Sequence, residues 1–583
     1  MRVSFRLCLS AALAIIAAPY LAMAETPTAD WLAHVENSLI ESAKKERIAG
    51  AALVMVTGRG IVKTVVSGHA DRSNKTPFTH ETRFPFANLT KVVTAIAVLQ
   101  QSEQDGFALD DDLSRVLPGI TLTTRFDDDQ GPTIRQLLSH HSGLPANVLA
   151  GYYQDFPPQQ LTPLPALYLA SPPGQIYGYS NVAYGVLGRV IEHHAGMSYP
   201  QYIKQAILQP LGMQGAGFAI HEQDSRGHDK KRRPEPDVYA RNLPALGLRG
   251  NIEDLGNLLA FFLSDQASPV LSPTLRGEMG RPQNIDVPLD LDNRSGLGWQ
   301  LTNTEGFAVD RILRINANTL HFRANIVLLP EHDIGLAVVA NSANGIDFVV
   351  DESRNILDQW LEKSAGIAPP DRENSTLPEV VSLPAEASPS AMGKRYVTPA
   401  GLVEFSGKPQ RYKMSMMGRS FRANARPDGW YGLAYRLLGV LDVQFSIMEE
   451  ILVRPVRMAD REVLLARYQG QSFLFGTELP DIAPLSAEAS IPVAGRYRIV
   501  NPDFFSERIK LKSVELAVEN GQLFGEYKLP VFISLKPKIP FVSGPKPNNY
   551  YIPGLGTGLG ERLRYDPEKQ EFQFAGYRFA RAR

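Results

Sequence analysis

The chain has 583 residues, 60 of them basic and 61 acidic, and a formal net charge of −1 at pH 7. That length exceeds what one hydrophobic core serves, so two to four domains are expected. Near-neutral charge gives no electrostatic case for nucleic acid or an anionic membrane surface as partner, and the composition is that of a globular chain rather than a disordered one.

The first 24 residues read as an export signal: "MRVSFR" is a positive start, "LCLSAALAIIAAPYL" an apolar stretch, and "AMA" a small-residue cleavage site. The only cysteine, Cys8, lies inside it, so the processed chain is expected to carry no disulfide and no thiol chemistry. No later segment is long and apolar enough to span a bilayer. The expectation is a soluble protein exported to the bacterial periplasm, without a stable membrane span once the signal is cleaved.

Residues 25–367 mix helix and strand. "WLAHVENSLIESAKKE" has amphipathic helical spacing. "GAALVMVTGRGIVKTVVSGHAD" reads as a hairpin with a Gly-containing turn. Helical patterns follow at 88–104, 133–140, 181–195, 199–208 and 251–264. "ANIVLLPEHDIGLAVVANS" is a second strand pair turning at Pro330–Asp333, and "IDFVVDESRNILDQWLEK" closes with a helix. Strands at both ends with helices between them predict an α+β domain whose antiparallel sheet joins the two ends of the segment, with a helical region inserted. Residues 368–390 are rich in Pro, Ser and Glu and read as a linker. Two antiparallel β-domains, barrel- or sandwich-like, are expected at 391–480 and 481–583. Their openings, "MGKRYV" and "VAGRYR", form a weak repeat.

The first candidate site is "FPFANLTKVV". Asn88 and Lys91 are three apart and share a helix face. An amine buried near a helix N-terminus is pushed toward its neutral form and becomes a usable base. The bland alternative makes Asn88 an N-cap and lets Lys91 reach the surface. The second is "IYGYSNVAYG", where Tyr179 and Asn181 precede a helix. The phenol is a candidate proton carrier if a nearby ammonium lowers its pKa, and the amide a candidate holder of a carbonyl. The alternative makes Asn181 the helix cap and Tyr179 a core aromatic.

Other features read blandly. "HDKKRRPEP" is a solvated loop. His221, Asp224 and His228 lack metal-site spacing, and no metal or other cofactor is expected. His140 and His141 read as structural. "PGLGTGLGERL" at 553–563 is glycine-rich but lacks a P-loop lysine and a βαβ context, so a hairpin is expected.

Taken in order, "TRFPFANLTK", "LDDDLSRVLPGITL", "TIRQLLSHHSGLP", "PPGQIYGYSNVAYGVLGRVIE", "LGLRGNIEDLGNLLAFF", "GLGWQL" and "LLPEHDIGLAVVANS" resemble the β-lactamase-related serine hydrolases. That group holds class C β-lactamases, penicillin-binding proteins, D-aminopeptidases and related esterases. The resemblance covers about residues 30–362 and implies a β-lactamase/transpeptidase-like fold. It also implies three motifs. The first is Ser-x-x-Lys, with a nucleophile and its base; here Asn88 stands at the serine and Lys91 at the lysine. The second, Tyr-x-Asn, falls on Tyr179 and Asn181. The third, Lys-Thr-Gly or His-x-Gly, falls on Ile315, Asn316 and Ala317, which have neither the polar residue nor the glycine. Asn318 and His321 stand where the following turn has glycines. The resemblance further implies an oxyanion hole from the backbone N–H groups of Asn88 and Ala317.

Three functions stay open at this point. One is an exported homologue that binds D-amino-acid-containing peptides, peptidoglycan fragments or a protein without forming an acyl-enzyme. Another is an active esterase, amidase or peptidase using an atypical nucleophile or a water activated by Lys91. The last is an interaction protein acting through its C-terminal β-domains.

Overall fold

The computed structural model describes residues 27–582 apart from 127–129, 156–160, 162–166, 372–392, 409–410, 438–440, 444–450, 469, 482–492, 509 and 528–535. The stretch expected to be an export signal and most of the linker expected at 368–390 lie outside the described residues.

Helix α1 (Ala29–Lys45) leads into the hairpin β1 (Gly50–Thr57) and β2 (Gly60–Asp71), edged by β3 (Thr76–Pro77). Helices α2 (Thr90–Asp105), α3 (Asn181–Ala195) and α4 (Ile252–Leu263) belong to the inserted region. Strands β4 (Leu313–Asn316), β5 (Arg323–Leu329) and β6 (Ile334–Ala340) return to the sheet, and α5 (Ile346–Ala365) ends the domain. The sheet order is β4-β5-β6-β1-β2-β3, with β1 antiparallel to β6 from Ala51 opposite Ala340 onward. The two ends of the segment therefore meet in one sheet, as the strand pattern requires.

Every residue of β1 is buried, because the sheet is covered on both faces. Side chains alternate across a strand. Ala52, Val54 and Val56 enter a core with α2, α3 and α4. Ala51, Leu53 and Met55 enter a second core with Trp31, Leu39 and Trp360 of α1 and α5. A doubly covered strand reads as a continuous apolar run.

Two β-barrels follow. In the first, strands run from Arg395–Thr398 to Gln471–Glu478, and pairing of Arg419–Ala425 with Tyr431–Leu437 closes the ring. The second is a closed barrel from Gly495–Ile499 to Tyr577–Arg581, the first strand pairing with the last. The repeated tyrosine of the two openings has one physical role: Tyr396 and Tyr497 are both fully buried. The glycine-rich run forms the connection between the paired strands Asn549–Tyr551 and Arg562–Asp566, so it is a hairpin loop as expected.

That loop ties the barrels to the first domain. Leu555 shares a core with Ile176 and Leu291 of the first domain and Trp430 of the first barrel. Gly560 has φ +73°, and a Cβ there would lie 1.8 Å from the Ala170 carbonyl oxygen, so no other residue fits. Next to it, buried Glu561 accepts from Tyr168 Oη at 2.7 Å and from the Ala146 N–H at 3.1 Å.

Candidate functional site

The site forms where the start of α2, the loop before α3 and the end of β4 converge. Ala87 precedes Asn88 with φ 45°, a left-handed conformation that costs about 1–2 kcal/mol for a residue with a Cβ. A short 3-10 turn, Ala87–Leu89, then enters α2. Asn88 is not an N-cap: the turn and α2 have no side-chain cap bond at their N-termini. Its side chain points into the site instead. Asn88 Oδ1 accepts from Lys91 Nζ at 3.2 Å and from Tyr179 Oη at 3.0 Å, while Asn88 Nδ2 donates to the Asn316 carbonyl at 2.9 Å.

Lys91 does not reach the surface; it is 2% exposed. Its second acceptor is the Ala245 carbonyl at 3.1 Å. Both partners are uncharged oxygens. The aromatic rings of Tyr179 and Tyr184, 5.0 and 5.6 Å from Nζ, favour a charged amine. Such contacts contribute about 0.5–2 kcal/mol, whereas desolvating an ion costs several kcal/mol. Burial wins and holds the Lys91 amine well below its ordinary pKa. A neutral amine has two hydrogens and one lone pair. Both hydrogens find acceptors here, and the lone pair remains.

Tyr179 behaves oppositely to the proton-carrier expectation. Burial raises its phenol well above the ordinary value, with further contributions from neighbouring tyrosines. A neutral amine beside it supplies no charge to lower it. The phenol is a donor, and it also reaches Asn181 Oδ1 at 3.3 Å. Asn181 does not cap α3; Ser180 does, accepting from the Ala183 N–H at 2.9 Å. The Asn181 amide nitrogen is already held, donating to Asn147 Oδ1 at 2.7 Å and Tyr152 Oη at 3.3 Å.

The β4 edge corrects the expected oxyanion hole. Ala317 N–H donates to the Ala324 carbonyl at 2.9 Å and is turned into the sheet. In an antiparallel ladder alternate residues bond across and the others face outward. Arg314 and Asn316 are the outward ones. Arg314 exchanges backbone bonds of 2.9 and 3.1 Å with Gln300. Asn316 presents its backbone to the site, and Asn88 takes its carbonyl. The Asn316 side chain is held by Asn325 Nδ2 at 2.9 Å, itself bonded to Glu305 Oε1 at 3.1 Å.

Several participants were not singled out from the sequence. His140, read as structural, sets its ring at a tilt 4.6 Å from that of Tyr179 and accepts from the Ser180 N–H at 3.2 Å. Burial pushes its pKa well below the usual value. Thr557, in the glycine-rich loop, accepts from the Tyr179 N–H at 2.9 Å. His221 and Asp224 both meet the Arg83 guanidinium, at 2.6 and 3.2 Å, and His228 lies elsewhere. Asp224 lies between Arg83 and Arg249, at 3.2 and 2.9 Å, and His228 Nδ1 meets the Asn341 carbonyl at 3.1 Å. Thr90 points away from Lys91 and accepts from the Leu248 N–H at 3.1 Å.

Residues 35–359, more than half of the chain, match the family profile described as Beta-lactamase. The chain belongs to the beta-lactamase family. Protein flp of Staphylococcus aureus (strain MRSA252) is 24% identical over 333 residues, 54% of this chain and 64% of flp. Beta-lactamase-like protein 2 of Dictyostelium discoideum is 30% identical over 221 residues, 35% of this chain and 40% of that protein. The chain thus matches less than two thirds of the length of these curated relatives. Among solved structures, SurE with D-Leu superposes with a TM-score of 0.55 at 21% identity, covering 78% of this chain and 100% of SurE. The octameric penicillin-binding protein homologue from Pyrococcus abyssi gives 0.50 at 20%, covering 76% and 99%. At such identities the likeness establishes the fold.

Proposed function

We propose that this chain is an exported member of the family whose cleft binds a peptide- or D-amino-acid-type ligand without forming an acyl-enzyme, Asn88 occupying the nucleophile's seat. One observation carries this reading. The Asn88 side chain satisfies Lys91, Tyr179 and the Asn316 carbonyl at once. An amide nitrogen is no nucleophile, since its lone pair is delocalised into the carbonyl. The groups that would activate a hydroxyl are instead spent on holding Asn88. SurE was crystallised with D-Leu, which supports a ligand of the D-amino-acid class. The test is incubation of the purified native protein with a fluorescent β-lactam and a fluorophosphonate. No covalent adduct is expected by gel or intact mass, and an adduct overturns the reading.

A second reading rests on the neutral Lys91 amine, whose lone pair is not consumed by its two bonds. That amine would serve as base for a water attacking an ester or amide. Turnover of a D-amino-acid amide that disappears in Lys91→Ala supports it. Turnover equal in both proteins removes it.

A further inference from the structure

Beside Asn88 lies a cavity of about 50 Å³ that the site described above does not use. Ala87, the residue before Asn88, forms part of its wall, and Thr319–Phe322, the turn after β4, forms another. Phe218, Tyr239, Leu243, Leu246 and Phe322 make it mainly apolar.

His321 lines the same cavity and is 8% exposed. Its Nε2 is 3.2 Å from an Arg508 guanidinium nitrogen. A guanidinium only donates, so Nε2 is the acceptor. Burial, then the charge of Arg508, lowers the His321 pKa and keeps the ring neutral. The proton of the neutral ring therefore sits on Nδ1, and Nδ1 has no hydrogen-bond partner among the described residues. Buried donors of folded proteins almost always find an acceptor, and a lone one calls for an explanation. Arg508 is held in turn by both carboxylate oxygens of Glu235, at 2.9 and 3.1 Å. It comes from the second barrel, on the short helix Phe504–Arg508. The barrel thus sets the tautomer of a residue lining this cavity.

We propose that this cavity is a side-chain pocket of the cleft, taking a small branched aliphatic group whose adjoining carbonyl accepts from His321 Nδ1–H. Arg508 acts as the positioning residue that presents that donor. The proposal rests on the cleft being a ligand site, and names what one part of it selects: a compact apolar residue attached to an amide or carboxyl acceptor. The apolar walls supply affinity without direction, and the His321 Nδ1–H donor supplies orientation.

The test uses the full chain labelled with 15N-histidine and titrated with the D and L forms of N-acetyl-leucinamide. Saturable movement of the His321 Nδ1 resonance is expected. Calorimetry should give about a five- to tenfold weaker affinity in His321→Phe, the size of one lost hydrogen bond. His321→Gln, which keeps a donor, should recover part of it, and Arg508→Gln should weaken binding less than His321→Phe. If His321→Phe fails to fold, the resonance shift and the His321→Gln and Arg508→Gln affinities still decide. Binding that leaves the Nδ1 resonance still and is unchanged in the His321 variants, but is lost in Asn181→Ala, overturns the pocket and leaves the cleft reading standing. No binding of either form by the wild-type chain overturns the proposed ligand class. A covalent adduct in the β-lactam experiment would instead overturn the cleft reading and leave the His321 result untouched.

Discussion

The two walls of the site differ in how they are used. On the helix wall, Asn88, Lys91 and Tyr179 come together within hydrogen-bond reach, and burial lowers the amine's pKa and raises the phenol's. On the strand wall, Ala317 N–H is drawn into the sheet and the Asn316 carbonyl is taken by Asn88. A single side chain closes both walls. The contrast teaches that an acid–base pair survives as geometry even when its hydrogen bonds are directed at the protein itself. Whether such a pair does chemistry depends on what occupies the space between the walls.

The sharpest way to break the contrast is Asn88→Ser. A serine frees the Asn316 carbonyl and places a hydroxyl near Lys91 and Tyr179. Intact mass spectrometry with a β-lactam should go from no adduct on the native chain to one adduct per chain, and to none again in Asn88→Ser/Lys91→Ala. Silence in Asn88→Ser would place the defect in the strand wall, where loss of an oxyanion donor costs on the order of 10²–10³ in rate.

A smaller effect is expected from Asn88→Ala, which leaves two buried donors facing an empty acceptor position. The cost should be about 2 kcal/mol, or roughly 3 °C in the thermal midpoint of a domain this long. An unchanged midpoint would mean that Lys91 and Tyr179 find other acceptors.

Lys91→Met tests the neutral amine through pH. Burial sets the folded amine's pKa below its unfolded value. Between those two values the unfolded chain binds a proton that the folded chain does not. The wild-type chain therefore gains stability as pH rises toward the unfolded pKa, and the methionine variant lacks that gain. Denaturant titrations should find the variant the more stable at pH 7. Its margin should shrink as pH rises to 10, by at most about 1.4 kcal/mol per unit. A margin independent of pH would mean that Lys91 is charged in the fold.

The smallest effect concerns the barrel's hold on the helix wall. Thr557→Ala removes the acceptor of the Tyr179 N–H and should cost about 1 kcal/mol locally. Hydrogen exchange at the Tyr179 amide should quicken about fivefold. Unaltered exchange would separate the glycine-rich loop from the site.

Much of the scaffold is legible in residue order. The terminal strand pairs anticipate a sheet joining the ends of the domain. Asn88 and Lys91 are legible as a pair because three residues along a helix return to the same face. The caps were harder to read. Asn88 and Asn181 both have the side chain of a good cap, yet Ser180 caps α3 and Asn88 faces inward. Competing hydrogen-bond partners from elsewhere in the chain decided those cases, and helix propensity does not weigh them. The strand wall was misread at Ala317, because which backbone groups face outward is a matter of register rather than of residue type.

By itself, the amino-acid order determined the α+β domain, the two antiparallel β-domains after it and the helix-borne pair, since all of these follow from periodicity and short spacings. Only the tertiary structure decided what that pair is bonded to. The Asn316 carbonyl reaches Asn88 from 228 residues away and Thr557 reaches Tyr179 from 378 away. Arg508 fixes the His321 tautomer from 187 residues away. Hydrogen bonds are short-ranged in space and indifferent to sequence separation, so the state of each site group is set only once the barrels and the sheet have closed around it.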